Sequence, residues 1–211
     1  MIDLHVHSKY SDGCCDVREV ARVAKSAGLK MIAIVDHSVE HPRGLDERKA
    51  ARRLEEIDDA ASAYGIRIYS GVECGIDAAG KIHLPDFSFD LVIASVHDFV
   101  DGIEYYRRVI GCVESCDFDV LGHPFSQRFG FETRMAELDE RLVELMAEHG
   151  IAVEINSSHE TPPGDFLVLC DEFRIPYTVG SDAHSLQRIG AVEWSFERAK
   201  RYMKRSELFI P

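Results

Sequence analysis

Nine residues of metal-binding type stand at short polar stations along the chain: His5, His7, Asp12, His37, Glu73, His97, His123, Asp182 and His184. Neutral imidazole nitrogen and carboxylate oxygen suit zinc, iron and manganese, and a mixed set leaves coordination positions open for water. At about four to six ligands per ion, nine are too many for one metal, so the set implies two or three divalent ions with bridging carboxylates. His5-Val6-His7 puts two imidazoles at i and i+2, which share one face of a strand and can grip one ion, with Val6 turned into the wall behind. Asp182-Ala183-His184 repeats that spacing.

Short Val- and Ile-rich runs must carry these stations. Strands are expected at Ile2 to Val6, Met31 to Val35, Arg67 to Val72, Leu91 to Val96, Val120 to Leu121, Ala152 to Ile155 and Tyr177 to Val179. Helical periodicity fills the gaps. Asp16 with Glu19 is a capping-box start closed by Gly28, and further helices are expected from about Asp46 to Tyr64, Gly102 to Glu114, Thr133 to His149, Pro162 to Phe173 and Val192 to Lys204. Met31 to Val35 and Leu91 to Ala94 are continuous apolar runs, the mark of parallel strands buried on both faces. Repeated β/α units can lie open or close into a barrel. Six of seven strand ends deliver a metal ligand, and barrels gather such groups at the C-terminal rim, so a closed α/β barrel of TIM-barrel type is favoured.

Composition bounds the rest. The 211 residues, 45% apolar, suit one domain spanning 1–211. Against 37 Asp and Glu stand 24 Lys and Arg; the net charge of −13 argues against a long nucleic-acid track and leaves a small anionic substrate open. No run reaches the roughly 20 uncharged apolar residues of a membrane span, and the N-terminus has no signal-like pattern. A soluble, cytoplasmic protein with no membrane partner is expected. Six cysteines form no CxxC pair and read as reduced thiols, with Cys112 and Cys116 on one helix face.

The ordered motifs Asp3-Leu4-His5-Val6-His7-Ser8 with Ser11-Asp12-Gly13, Val35-Asp36-His37, Gly71-Val72-Glu73, Ser95-Val96-His97, Gly122-His123-Pro124 and Gly180-Ser181-Asp182-Ala183-His184 resemble the PHP (polymerase and histidinol phosphatase) superfamily. The resemblance implies a distorted seven-stranded (β/α)7 barrel with three divalent metals, Glu73 bridging two of them. By similarity, His5, His7, Glu73 and Asp182 bind the first, Glu73, His97 and His123 the second, and Asp12, His37 and His184 the third. Some members carry histidine where Asp12 stands, which leaves the metals (Zn, Mn or Fe) open. Asp36 and Cys74, each next to a ligand, are expected to point away from the metals by strand alternation.

A metal-dependent phosphoesterase follows, acting on a small phosphorylated substrate such as histidinol phosphate or a nucleotide. The nucleophile would be a metal-bridging hydroxide beside Glu73, with Asp182 or a bound water shuttling protons. Candidate substrate contacts are Lys9, Arg43, Arg128 and Arg188, together with Asn156 and Ser157. Of the histidines outside the pattern, His41, His83 and His149 read as surface residues and His159 as a substrate contact. The absence of a long insertion over the mouth predicts a shallow pocket. Three other readings share the barrel: a nuclease on short oligonucleotides, an amidohydrolase-type C–N hydrolase, and a non-catalytic RNA-associated barrel, which would have lost its ligands and gained a basic surface.

Overall fold

A computed structural model describes residues 1–211. Seven parallel strands lie side by side in chain order: β1 (Ile2–Val6), β2 (Met31–His37), β3 (Arg67–Gly75), β4 (Leu91–Ser95), β5 (Val120–Leu121), β6 (Ala152–Asn156) and β7 (Tyr177–Gly180). The ring closes just beyond β7, where the His7 N–H donates to the Ala183 carbonyl at 2.9 Å. Six helices pack outside: α1 (Val17–Ser26), α2 (Glu47–Tyr64), α3 (Gly102–Ser115), α4 (Ala136–His149), α5 (Gly164–Glu172) and α6 (Glu193–Tyr202). The α/β barrel expected from the alternation is the fold that forms. Its distortion is the helix-free connection between β3 and β4. No helix is long and apolar enough to cross a membrane.

Local chemistry sets the helix ends. Asp16 and Glu19 form the full reciprocal capping box of α1, and Gly65, in the left-handed region at φ +58°, ends α2. Helix α4 starts at Ala136, three residues after Thr133, because the Asp101 carboxylate accepts the N–H groups of Glu132 and Thr133 at 2.8 Å each and holds them in a loop.

The barrel interior is filled from below by alternate residues of every strand, among them Leu4, Ala33, Val35, Ile93, Ala152 and Val179. Each large side chain of this kind contributes about 1.5–3 kcal/mol by leaving water. The same inward alternation continues upward to His37 on β2, Glu73 on β3 and Glu154 on β6. Strand β1 departs from it. Its register on β2 runs Asp3 to Ile32 and then Val6 to Ile34, so β1 holds one residue more than its partner, a bulge. Ile2 and Leu4 face inward below the bulge and His5 and His7 above it, while Val6 packs outward with Val17 and Val20 of α1.

Candidate metal centre

Glu73 is the hub. Its Oε2 lies 3.5, 3.6 and 3.3 Å from nitrogens of His5, His7 and His37, and its Oε1 lies 3.2 and 3.1 Å from Nε2 of His97 and His123. Asp182 Oδ1 lies 3.4 Å from His7 Nε2 and 4.0 Å from His5 Nε2. Asp12 Oδ2 lies 3.5 Å from His37 and 3.2 Å from His184, and its Oδ1 lies 3.4 Å from His7 Nδ1. Three donor groups result: His5, His7 and Glu73; His37, Glu73 and His97; and His7, Asp12, His37 and His184. His7 and His37 each join two groups through different ring nitrogens.

These distances fit divalent metals. Ligands held 2.0–2.1 Å from a tetrahedral ion stand about 3.3–3.4 Å apart, the spacing seen here and longer than a good charged hydrogen bond. Two further features point the same way: His5 Nε2 and His7 Nε2 face each other at 3.1 Å, and the buried His37 Nδ1 has no hydrogen-bond partner.

Alternation alone would turn His123 and Asp182 outward, since Val120 on β5 and Val179 on β7 face in. Both side chains sit instead at positive φ, +23° for His123 and +52° for Asp182, and these left-handed kinks re-aim them into the ring.

Three buried carboxylates brace the candidate ligands. Glu154 accepts the His5 Nδ1–H at 2.7 Å, the His123 backbone N–H at 2.7 Å and the Asn156 amide at 3.1 Å. Asp3 accepts the backbone N–H groups of Ser181 and Gly190, and so ties β1 to the segment bearing Asp182 and His184. Asp36 points away from the centre, as expected. It accepts from the backbone and hydroxyl of Ser8, the hydroxyl of Ser11 and the Arg53 guanidinium, which fixes the segment leading to Asp12. Cys74 also faces away, packed with Leu45 and Val72. Glu154 and Asp3 were missed in the sequence; the available signal was a carboxylate inside an otherwise apolar strand, two residues from another polar group.

The charges are mutually dependent. Burial would depress the His5 imidazole, but Glu154, Glu73 and Asp182 outweigh it and hold it well above the usual histidine range. For His7 burial again opposes, and hydrogen bonds to Asp12 and Asp182 raise it to about 9. Burial would raise the Glu73 and Asp182 carboxyls, but the imidazoles hold both well below the usual range.

The centre opens into a cavity of about 250 Å³, where His41, Phe129 and His159 join the proposed ligands. His41, expected at the surface, stacks on His37 at 4.6 Å; His159 Nε2 lies 3.1 Å from Asp182 Oδ2. His83 and His149 are exposed, as expected. The candidate substrate contacts scatter. Lys9 and Arg43 line a separate cleft with Lys49 and Arg52, whereas Arg128, Ser157 and Arg188 line another with Trp194. Arg128 is tied to the Ser158 hydroxyl and carbonyl, and Asn156 is fully buried, bonded to Glu154 and to the backbone of Ser158 and His159. All six cysteines are free thiols.

A family model described as PHP domain matches residues 3–158, and one described as PHP-associated matches 167–206. DNA polymerase/3'-5' exonuclease PolX of Bacillus subtilis is 26% identical over 213 residues, which span 94% of this chain but only 37% of that protein. A protein of Caldanaerobacter subterraneus named probable phosphatase is 31% identical over 208 residues, 90% of this chain and 78% of its own length. The histidinol phosphate phosphatase of Lactococcus lactis, solved with zinc, L-histidinol and phosphate, shares the fold at a TM-score of 0.71 and 21% identity, over 99% of this chain and 94% of that one. The PHP match carries the stations from His5 to His123 and the PHP-associated match carries Asp182 and His184, so the chain belongs to the PHP family.

Proposed function

We propose that this metal-dependent phosphate-ester hydrolase acts on a small phosphomonoester, such as histidinol phosphate or a nucleotide, and binds two or three zinc, manganese or iron ions. One observation carries the reading: seven donors in three overlapping groups at metal-ligand spacing, two of which share Glu73, with His123 and Asp182 beside them, at a cavity on the C-terminal rim of the barrel. Divalent ions held there supply Lewis acidity that lowers the pKa of water and offsets phosphoryl charge.

The chain's own residues set the geometry. Glu73 directs one oxygen to His5, His7 and His37 and the other to His97 and His123, which fixes the spacing of the two halves of the centre. Asp182 likewise divides its carboxylate between His7 and His159, so Oδ2 is the atom at which a proton can be exchanged with His159. Burial lowers the His159 pKa, and the neutral ring matches both of its neighbours, with Ser126 donating to Nδ1 and Nε2–H donating to Asp182. The cavity volume favours a small substrate.

A second reading, release of a terminal nucleotide from a short oligonucleotide, draws on the cleft of about 530 Å³ where Lys9, Arg43, Lys49 and Arg52 outnumber Asp16 and Glu56, a net-positive lining on an acidic chain. The test is metal content together with hydrolysis of p-nitrophenyl phosphate and bis(p-nitrophenyl) phosphate, in wild type and Glu73→Gln. Monoester hydrolysis that disappears with the metals in the variant is expected. Diester preference selects the second reading, and a metal-loaded protein inactive on both would move the search to amide substrates.

A further inference from the structure

Three phenylalanines fall within the segment from Phe125 to Phe131, and the fold separates them. Phe125 and Phe131 are buried against each other at a centroid distance of 5.0 Å and against Tyr105. Phe129 is half-buried and turns to the metal-site cavity, where it is the one carbon-only side chain among titratable ones.

Its surroundings are aromatic. His123 and His159 lie face to face at 4.4 Å with planes 12° apart, and Phe129 sits beside the pair, 5.6 Å from each of the two centroids and 5.4 Å from that of His97. The backbone holds the ring in place. The Phe129 N–H donates to the Ser126 carbonyl at 3.1 Å, and the Phe129 carbonyl accepts from the Val100 N–H at 3.3 Å. Gly130 follows at φ +74°, where a Cβ would come within 3.2 Å of the Phe99 ring. Phe99 itself is 84% exposed.

A phosphoryl group drawn to the Glu73 cluster leaves its ester substituent pointing out through the mouth, where the non-ligand residues are His41, Phe129 and His159. Resting on the phosphate-ester reading, we propose that Phe129 is a specificity-determining residue: its ring, at the cavity beside the His123 and His159 pair, is a platform on which a flat aromatic or heteroaromatic leaving group stacks. Stacking on one aromatic ring changes affinity by about tenfold.

The test is binding rather than turnover, because aryl esters also carry better leaving groups. Calorimetry on the metal-loaded protein would compare benzylphosphonate with cyclohexylmethylphosphonate, which have the same carbon skeleton but are flat in only one case. Wild type is expected to bind the benzyl compound about tenfold more tightly. In Phe129→Leu that preference vanishes while the cyclohexylmethyl affinity stays within about twofold, and Phe129→Trp keeps the preference. Equal affinities in wild type, or a Phe129→Leu variant weakened equally for both, would overturn the platform and leave Phe129 as packing for His123 and His159. Binding of neither phosphonate nor inorganic phosphate would overturn the phosphate-ester reading, and the platform with it.

Discussion

His5 donates its Nδ1–H to Glu154 at 2.7 Å with both side chains out of solvent, and that bond leaves Nε2 as the atom turned to Glu73 and Asp182. A carboxylate behind a metal-binding imidazole fixes its tautomer and raises its basicity. Because the same carboxylate also accepts the His123 N–H, Glu154 positions proposed ligands of both halves of the centre. Glu154→Gln is expected to lower zinc affinity by about 10–100-fold without unfolding the chain, as read by competition with a chromogenic chelator. Unchanged affinity would reduce Glu154 to a strand-packing role.

Gly180 makes that bond possible. A Cβ there would lie 2.5 Å from Glu154 Oε1 and 2.7 Å from His5 Cβ, and neither neighbour can retreat from a buried strand. Gly180→Ala is expected to destabilise the fold by about 1–3 kcal/mol and to weaken metal binding in parallel. Urea unfolding and metal content of the variant check both; loss of one without the other breaks the proposed link.

The buried ion pair of Arg53 and Asp36, 2.9 Å apart, holds the Ser8 to Ser11 segment behind the metal centre. Asp36→Asn would leave the guanidinium without its counter-charge and is expected to cost about 3–5 kcal/mol in urea unfolding at neutral pH. Burial would raise the Asp36 carboxyl, but Arg53 outweighs it and holds the pKa below the ordinary value. The pair's contribution is therefore complete above the unfolded value of about 3.9 and disappears as pH falls through the folded one. A wild-type advantage over Asp36→Asn that stays constant from neutral to strongly acid pH would contradict this assignment.

Metal-free protein should be sensitive to alkali. Burial opposes a charge on His7, yet Asp12 and Asp182 raise its pKa to about 9, above an unfolded value of about 6.5. The stabilisation from protonated His7 is thus complete below about pH 6.5 and lost as pH rises through about 9. Chelated protein is expected to melt at lower temperature at pH 9.5 than at pH 6.5, and metal should reverse the loss by replacing the protons. Metal binding should accordingly release protons at pH 7, visible as a buffer-dependent calorimetric enthalpy. A melting temperature of the chelated form that rises with pH would refute the sign.

The order and type of the strands, the capping box at Asp16 and Glu19, and the stations of the nine donor residues were readable from local sequence, because propensity, capping and period-two burial act over a few residues. Asp36 and Cys74 were correctly turned away from the centre for the same reason. His37 and Glu73 follow simple strand alternation. Tertiary structure decided the rest: the bulge in β1 that lets Leu4 and His5 both face inward while Val6 packs on α1, and the left-handed backbone that re-aims His123 and Asp182. It also decided that Glu154 backs His5, that His41 and His159 line the cavity, and that Arg43 lies in a different cleft from the ligands. Each of these depends on which segments closure of the barrel brings together across long sequence separations, and no local pattern encodes that distance. The residue types fixed which chemistry was available, and closure of the ring fixed where those side chains meet.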